Sequence, residues 1–264
     1  MSTIHPTALV EEGARIAPDA VIGPFCHVSS QADLAAGVQL RSHVVVSGRT
    51  SIGEGTIVYP FACLGTQPQD LKYEGEDSQL IIGKNCMIRE HVTVHIGTKG
   101  GGMVTRVGDD ALLMIGTHVA HDCQLGKSVI LANHVNLAGH VTVGDYAILG
   151  GMCGVHQFVE IGAHAFIAGM VGVERDVIPF GMVEATKARG RLTGLNHVGL
   201  RRRNFDRKQI RHLQQTLDNI FTEQGTLAER IKTLRTRKNG DDTLSHTLLD
   251  FIERSSKRGL LVLK

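Results

Sequence analysis

Aliphatic residues recur at every sixth position from Ile4: Val10, Ile16, Ile22, Val28, Leu34, Leu40, Val46, Ile52, Val58 and Leu64 follow in turn. Four places after each stands a small or β-branched residue, among them Ala8, Ala14, Ala20, Cys26, Ala32, Val38, Val44 and Thr50. The register resumes at Ile82, Ile88 and Val94 and slips by one residue across Gly100-Gly101-Gly102. From Val107 it runs unbroken through Leu113, Val119, Leu125, Leu131, Leu137, Val143, Leu149, Val155, Ile161 and Ile167 to Val173. A period of six matches neither a 3.6-residue helix nor an alternating strand. It matches a short strand with two inward side chains followed by a tight turn, repeated around a triangular coil of three hexads. The expected fold is therefore mainly β, a parallel β-helix over 1–185.

Two stretches interrupt the repeat and are expected to protrude: Thr66–Leu80, which contains Gln69-Asp-Leu-Lys-Tyr, and Lys99–Arg106 with its three glycines. Excursions from a regular scaffold are where function concentrates. After Val173 the hexad stops, and beyond Arg203 the pattern turns helical. Ile210, Leu213, Leu217, Ile220 and Phe221 form one stripe. Thr226-Leu-Ala-Glu229 reads as a capping box, and Gly240-Asp-Asp precedes a last helix bearing Leu248, Leu249 and Ile252. A C-terminal α-helical domain over 186–264 is expected.

Composition agrees with a repeat. Trp is absent, only 3 Tyr and 8 Phe occur, and the core must be built from small, similar layers. Cys26, Cys86, Cys123 and Cys153 fall at the small inward position, so packing accounts for them. Five cysteines with no CxxC pair fit reduced thiols in the cytoplasm. No signal peptide or membrane span is expected. Charge is segregated: residues 1–186 carry 10 Lys+Arg against 18 Asp+Glu, and 187–264 carry 18 against 8. The basic part suits an acidic partner. Nothing like an aromatic stacking platform accompanies it, so nucleic acid is not expected.

Coil phase identifies candidate chemistry. Val119, Leu137 and Val155 lie one coil apart, so His121, Gly139-His140 and His156-Gln157 share one prism edge at heights about 5 Å apart. His118 sits near the same corner, and His91 and His95 lie lower. A neutral imidazole is the side chain best suited to accept a proton near neutral pH. His5, His27, His43 and His164 read instead as solvated turn residues. A prism edge alone is convex, so a binding cleft calls for prisms packed around an axis, a homotrimer for a triangular coil.

The segments Gln69-Asp-Leu-Lys-Tyr, Leu112-Leu-Met-Ile, His118-Val-Ala-His-Asp-Cys, Leu137-Ala-Gly-His-Val, Gly150-Gly-Met, Val155-His-Gln-Phe and Gly199-Leu-Arg-Arg-Arg resemble those of the UDP-N-acetylglucosamine O-acyltransferases. The resemblance covers essentially the whole chain. It implies a left-handed coil, a homotrimer with active sites at subunit interfaces, and transfer of an (R)-3-hydroxyacyl chain. The chain passes from acyl carrier protein to the 3-hydroxyl of UDP-N-acetylglucosamine, the first step of lipid A synthesis. It further implies that His121 is the general base, Asp122 its supporting carboxylate and Gly139 the donor to the oxyanion. Asp70, Lys72, His95, His118, His140, His156 and Gln157 would contact substrate. Asn196 and Arg202 would lie near the nucleotide and the carrier's prosthetic arm, and Gly169 would floor the acyl groove and set chain length. A thioester donor needs neither a covalent intermediate nor a metal or other cofactor.

Three other readings stay open on the residues alone. A zinc hydratase on the same fold could use His91-x-x-x-His95 and His118-x-x-His121. The related N-acyltransferase of the same pathway usually carries an N-terminal nucleotide-binding domain, whereas these hexads begin at Ile4. A non-catalytic scaffold would have no need of the stacked histidines.

Overall fold

The structure is a computed structural model that describes residues 3–222, 224–236, 243–254 and 257–263; Gly240-Asp-Asp lies outside them. Short parallel strands stack into three faces. Residues pair with those 18 positions on, as in Thr3↔Val21 and Arg15–Asp33. Ile57–Val58 and Ile130–Leu131 belong to the first face. Cys63–Thr66, His118–Val119 and Asn136–Leu137 belong to the second, and Gln79–Ile82 and Gln124–Leu125 to the third. Inside the prism the two inward positions of each hexad make one continuous core, including Leu34, Leu64, Leu113, Leu137 and Ile167 with Val135, Ala147 and Ala165. Cys26, Cys86, Cys123 and Cys153 are buried in it as free thiols, and burial pushes the Cys123 thiol up to about 12. At the outer end Ile4 is exposed, since no coil among the described residues covers it.

Both excursions occur, with narrower bounds than expected. Leu80 already lies in strand Gln79–Ile82, and Val104–Arg106 lies in Val104–Val107, where Gln79↔Val104 and Ile81↔Arg106 pair. The spacing of partners grows to 30 residues across the first excursion and to 25 across the second. The first insertion is thus two whole hexads, which hides it from the phase. The second exceeds one hexad by a single residue, which is the slip at the glycines.

At most corners the chain turns through a left-handed residue, such as Asp122 (φ 60), His140 (φ 62) and Phe158 (φ 64). Repetition at a fixed interval therefore stacks side chains into outer ladders. His43 lies between Phe25 and Phe61, and His164 lies between Tyr146 and Phe180. His164 is half-buried rather than solvated, and burial lowers it to about 4. His27 Nε2 lies at hydrogen-bond distance, 2.9 Å, from Glu11 Oε1.

The prism ends in an antiparallel hairpin, Gly181–Thr186 with Arg189–Leu195, which runs across the 185/186 division. Among the described residues four helices follow: α1 (His197–Arg202), α2 (Arg207–Thr222), α3 (Leu227–Thr236) and α4 (Thr243–Glu253). The stripe on α2 is buried at Ile210, Leu213, Leu217 and Ile220. Thr226 and Glu229 exchange the reciprocal capping-box bonds that start α3. Helix α1 precedes the helical pattern expected beyond Arg203: Arg201 and Arg202 close it, and Asn196 caps it by accepting from the Gly199 N–H at 2.9 Å.

Candidate active site

The second-face strands His118–Val119, Asn136–Leu137 and Gly154–Val155 are in register, and each is followed by the same corner. Inward Val119, Leu137 and Val155 anchor these rungs, so residues one to three places on are carried outward at successive heights. There His121 Nδ1 meets Asp122 Oδ2 at 2.8 Å, and both side chains are almost wholly buried, at 7% and 1% exposure. The carboxylate is held from its other side by the second excursion. The Thr98 N–H donates to Oδ1 at 2.9 Å and the Thr98 hydroxyl to Oδ2 at 2.5 Å. The Asp122 N–H in turn donates to Thr105 Oγ1 at 2.8 Å. Gly101 presses on the same carboxylate: a Cβ there would fall 2.0 Å from Asp122 Cγ. Thr98, Gly101 and Thr105 had no individual signal in the sequence beyond the slip that marks their loop.

An imidazole gripped at Nδ1 by a buried carboxylate presents Nε2 outward as an acceptor, which is the arrangement a general base requires. Gly139 lies against that ring, where a Cβ would come within 2.5 Å of His121 Cε1 and 2.6 Å of Nε2. Among the described residues the Gly139 N–H has no acceptor, although its carbonyl takes the Phe158 N–H at 3.2 Å. A free donor therefore stands next to the His121 ring.

The remaining histidines ring this pair. His140 lies edge-on to His121 at 4.9 Å, with its Nδ1 3.8 Å from Asp122 Oδ2. Burial holds it below its ordinary value; His121 and Lys257 push the same way, and Asp122 and Asp70 oppose. His118 bonds Thr93 Oγ1 at 2.7 Å, and His95 meets it edge-on at 4.8 Å. Burial, then the neighbouring imidazoles, lowers both, His95 to about 4. His156 and Gln157 are exposed on the next rung, and Asp70 and Lys72 belong to the first excursion, where the Lys72 N–H donates to Asp70 Oδ1. A groove of about 450 Å³ runs up the face from His118 past Asn136, Gly154 and His156 to Gly172 and Glu174.

The structure does not bring every expected residue to this edge. Asn196 and Arg202 line a separate cavity of about 620 Å³ with Ile148, Phe166 and Met182, on the first face. Gly169 sits at the corner between first and second faces. It is not in the left-handed region, which Met170 occupies (φ 61), so a turn requirement does not explain this glycine. His91 stacks on Phe61 at 5.1 Å on another corner, apart from the His95–His118 pair. His121, Asp122 and His140 do converge within 4.8 Å, but both Asp122 oxygens are committed to Thr98 and to His121 Nδ1. The carboxylate therefore fixes the orientation of the His121 ring.

Known proteins are similar to this chain over nearly its whole length. A family model described as UDP-N-acetylglucosamine O-acyltransferase, domain 2, matches residues 176–261. The acyl-[acyl-carrier-protein]–UDP-N-acetylglucosamine O-acyltransferase of Rhizobium johnstonii is 44% identical over 257 residues, 97% of this chain and 93% of that one. Its counterpart from Rickettsia canadensis is 46% identical over 257 residues, covering 97% and 96%. The solved UDP-N-acetylglucosamine acyltransferase from Campylobacter jejuni superposes with a TM-score of 0.92 at 38% identity, over 99% of this chain and 100% of that one. With identity of this extent along nearly its full length and the same left-handed β-helix, the chain belongs to the family of acyl-[acyl-carrier-protein]–UDP-N-acetylglucosamine O-acyltransferases.

Proposed function

We propose that this enzyme transfers a 3-hydroxyacyl group from acyl carrier protein to the 3-hydroxyl of UDP-N-acetylglucosamine, opening lipid A synthesis, with His121 as general base. The observation that carries the reading is the buried His121–Asp122 contact at 2.8 Å beside the open Gly139 N–H. In the reaction His121 Nε2 takes the sugar hydroxyl proton as the oxygen attacks the thioester carbonyl. Asp122 holds the ring and stabilises the imidazolium that forms. The Gly139 N–H donates to the oxyanion of the tetrahedral intermediate. Collapse expels the carrier thiolate, which receives the same proton from His121 and restores the neutral base.

Asp70, Lys72, His95, His118, His140, His156 and Gln157 serve as substrate contacts in this reading. Asn196 and Arg202 face away from their own chain's His121, so they serve a neighbouring copy's site. That arrangement goes with a closed homotrimer whose clefts lie between prisms, and exposed Met152 and Met170 suit such packing. Residues 1–185 carry the chemistry, and 186–264 serve the nucleotide and the carrier. No helix among the described residues is long and apolar enough to cross a membrane, and we place the enzyme in the cytoplasm. The test is incubation with UDP-N-acetylglucosamine and a panel of hydroxyacyl carrier proteins, followed by product mass. A mono-acylated nucleotide sugar supports the proposal; an intact sugar with every carrier refutes it.

A further inference from the structure

After α4 the chain returns to the prism. The Asp176 N–H donates to Gly259 O at 2.9 Å and the Leu261 N–H to Asp176 O at 2.8 Å, with Leu192↔Leu263 bridging further on. Arg258 Nε donates to Gln157 O at 2.6 Å, and Arg254 lies 3.8 Å from Glu160. This strap delivers a cation to the catalytic edge. Lys257 Nζ stands 4.4 Å from the Phe158 ring centroid. Phe158 is stacked on His140 at 4.4 Å with 9° between planes, and His140 is edge-on to His121 at 4.9 Å. Four side chains from three coils and the strap thus run in succession from ammonium to base.

Holding an exposed lysine on a half-buried ring contributes little to folding. Lys257 is exposed, and no carboxylate pairs with it among the described residues. Its charge is left to whatever arrives at the edge. Burial, ahead of any neighbouring charge, holds His95, His118 and His140 below the ordinary imidazole value, which disfavours a compensating positive charge on them.

We infer that Lys257 is a further substrate-positioning residue, its ammonium receiving the diphosphate of the nucleotide sugar. This rests on the acyl-transfer reading above. A hexose whose 3-hydroxyl meets His121 Nε2 carries its anomeric phosphate on the ring carbon next but one, and the diphosphate falls one sugar's breadth along the edge. The stack of His140, Phe158 and Lys257 reaches over a comparable span. The other phosphate in the reaction lies at the remote end of the carrier's pantetheine arm, far from the thioester that must touch the base. Proximity to the reacting centre therefore selects the sugar's diphosphate.

Lys257→Gln and Lys257→Arg in the full chain test this. The glutamine variant is expected to raise the KM for UDP-N-acetylglucosamine roughly tenfold, the loss of one charge-assisted contact. kcat and the carrier KM should stay within about threefold, and the arginine variant should recover most of the loss. Calorimetric titration with UDP and with uridine gives a reading independent of turnover: the glutamine variant loses affinity for UDP alone. Unchanged sugar KM and UDP affinity overturn the inference, and so does a rise confined to the carrier KM. If the wild-type protein makes no acylated sugar, the function proposed above fails, while the two titrations still decide what Lys257 binds.

Discussion

Gly139 and His121 are matched by the absence of a side chain. A Cβ on residue 139 would lie 2.5, 2.6 and 3.1 Å from three atoms of the imidazole. The first two are shorter than real Cβ contacts, so with any side chain at residue 139 the ring would have to shift from its place against Asp122. Gly139 is outside the left-handed region, so its backbone accepts alanine. Gly139→Ala is expected to fold normally, displace the imidazole and lower kcat by about 10²-fold, the usual effect of an ångström-scale misplacement. Steady-state kinetics beside a thermal melt check this; normal kcat in a folded variant would show that the ring tolerates the methyl group.

Thr98 gives Asp122 two of its hydrogen bonds, and only the hydroxyl can be removed by mutation. Thr98→Val keeps the shape and leaves a buried carboxylate under-satisfied, at roughly 1.5–3 kcal/mol for a bond to a charged group. kcat is expected to fall about tenfold or more with little change in either KM. A change in KM alone would place Thr98 among substrate contacts instead.

His164 stacks between Tyr146 and Phe180, edge-on to Phe205, with its buried Nδ1 unpartnered. Its protonation is depressed to about 4, chiefly by burial and then by Arg203. The unfolded chain therefore binds a proton near 6.5 that the folded chain refuses until about 4. Stability falls as pH drops through that window and levels off below it. His164→Phe removes the group and retains the stack, so Tm should decline less between pH 6.5 and 4. An identical pH dependence would mean that His164 is not buried neutral. His95, also lowered to about 4, leaves part of the acid sensitivity in place.

Gly169 tests the acyl ruler. Its exposure and ordinary backbone let a side chain project from the corner, although a Cβ would come 3.2 Å from Gly151 O. Gly169→Met is expected to favour shorter hydroxyacyl chains. Each excluded methylene forfeits about 0.8 kcal/mol, so losing three or four shifts a competition between carriers by on the order of 10² or more. An active variant with the wild-type length preference would remove Gly169 from the groove.

What the sequence revealed depended on whether a feature repeats. Hexad phase located the prism, the buried cysteines and the edge that joins His121, Gly139 and Gln157, because an 18-residue interval carries each rung onto the next. Insertions defeat that logic. The first excursion preserves the phase and the second shifts it by one residue, so strand ends at Leu80 and Val104 were misplaced. The grip of Thr98 on Asp122 depends on how one loop folds back. Helix α1 is only six residues long and contains Gly199, too short for a periodic stripe. The strap is less legible still, since Arg258 reaches Gln157 across 101 residues with no local pattern to announce it.

Single-turnover transfer by His121→Ala reads the role of His121 as base directly. With carrier and nucleotide sugar saturating, the variant should remain folded and bind both substrates, yet transfer the acyl group some 10²–10⁴-fold more slowly. Transfer at the wild-type rate from the folded variant would contradict the account.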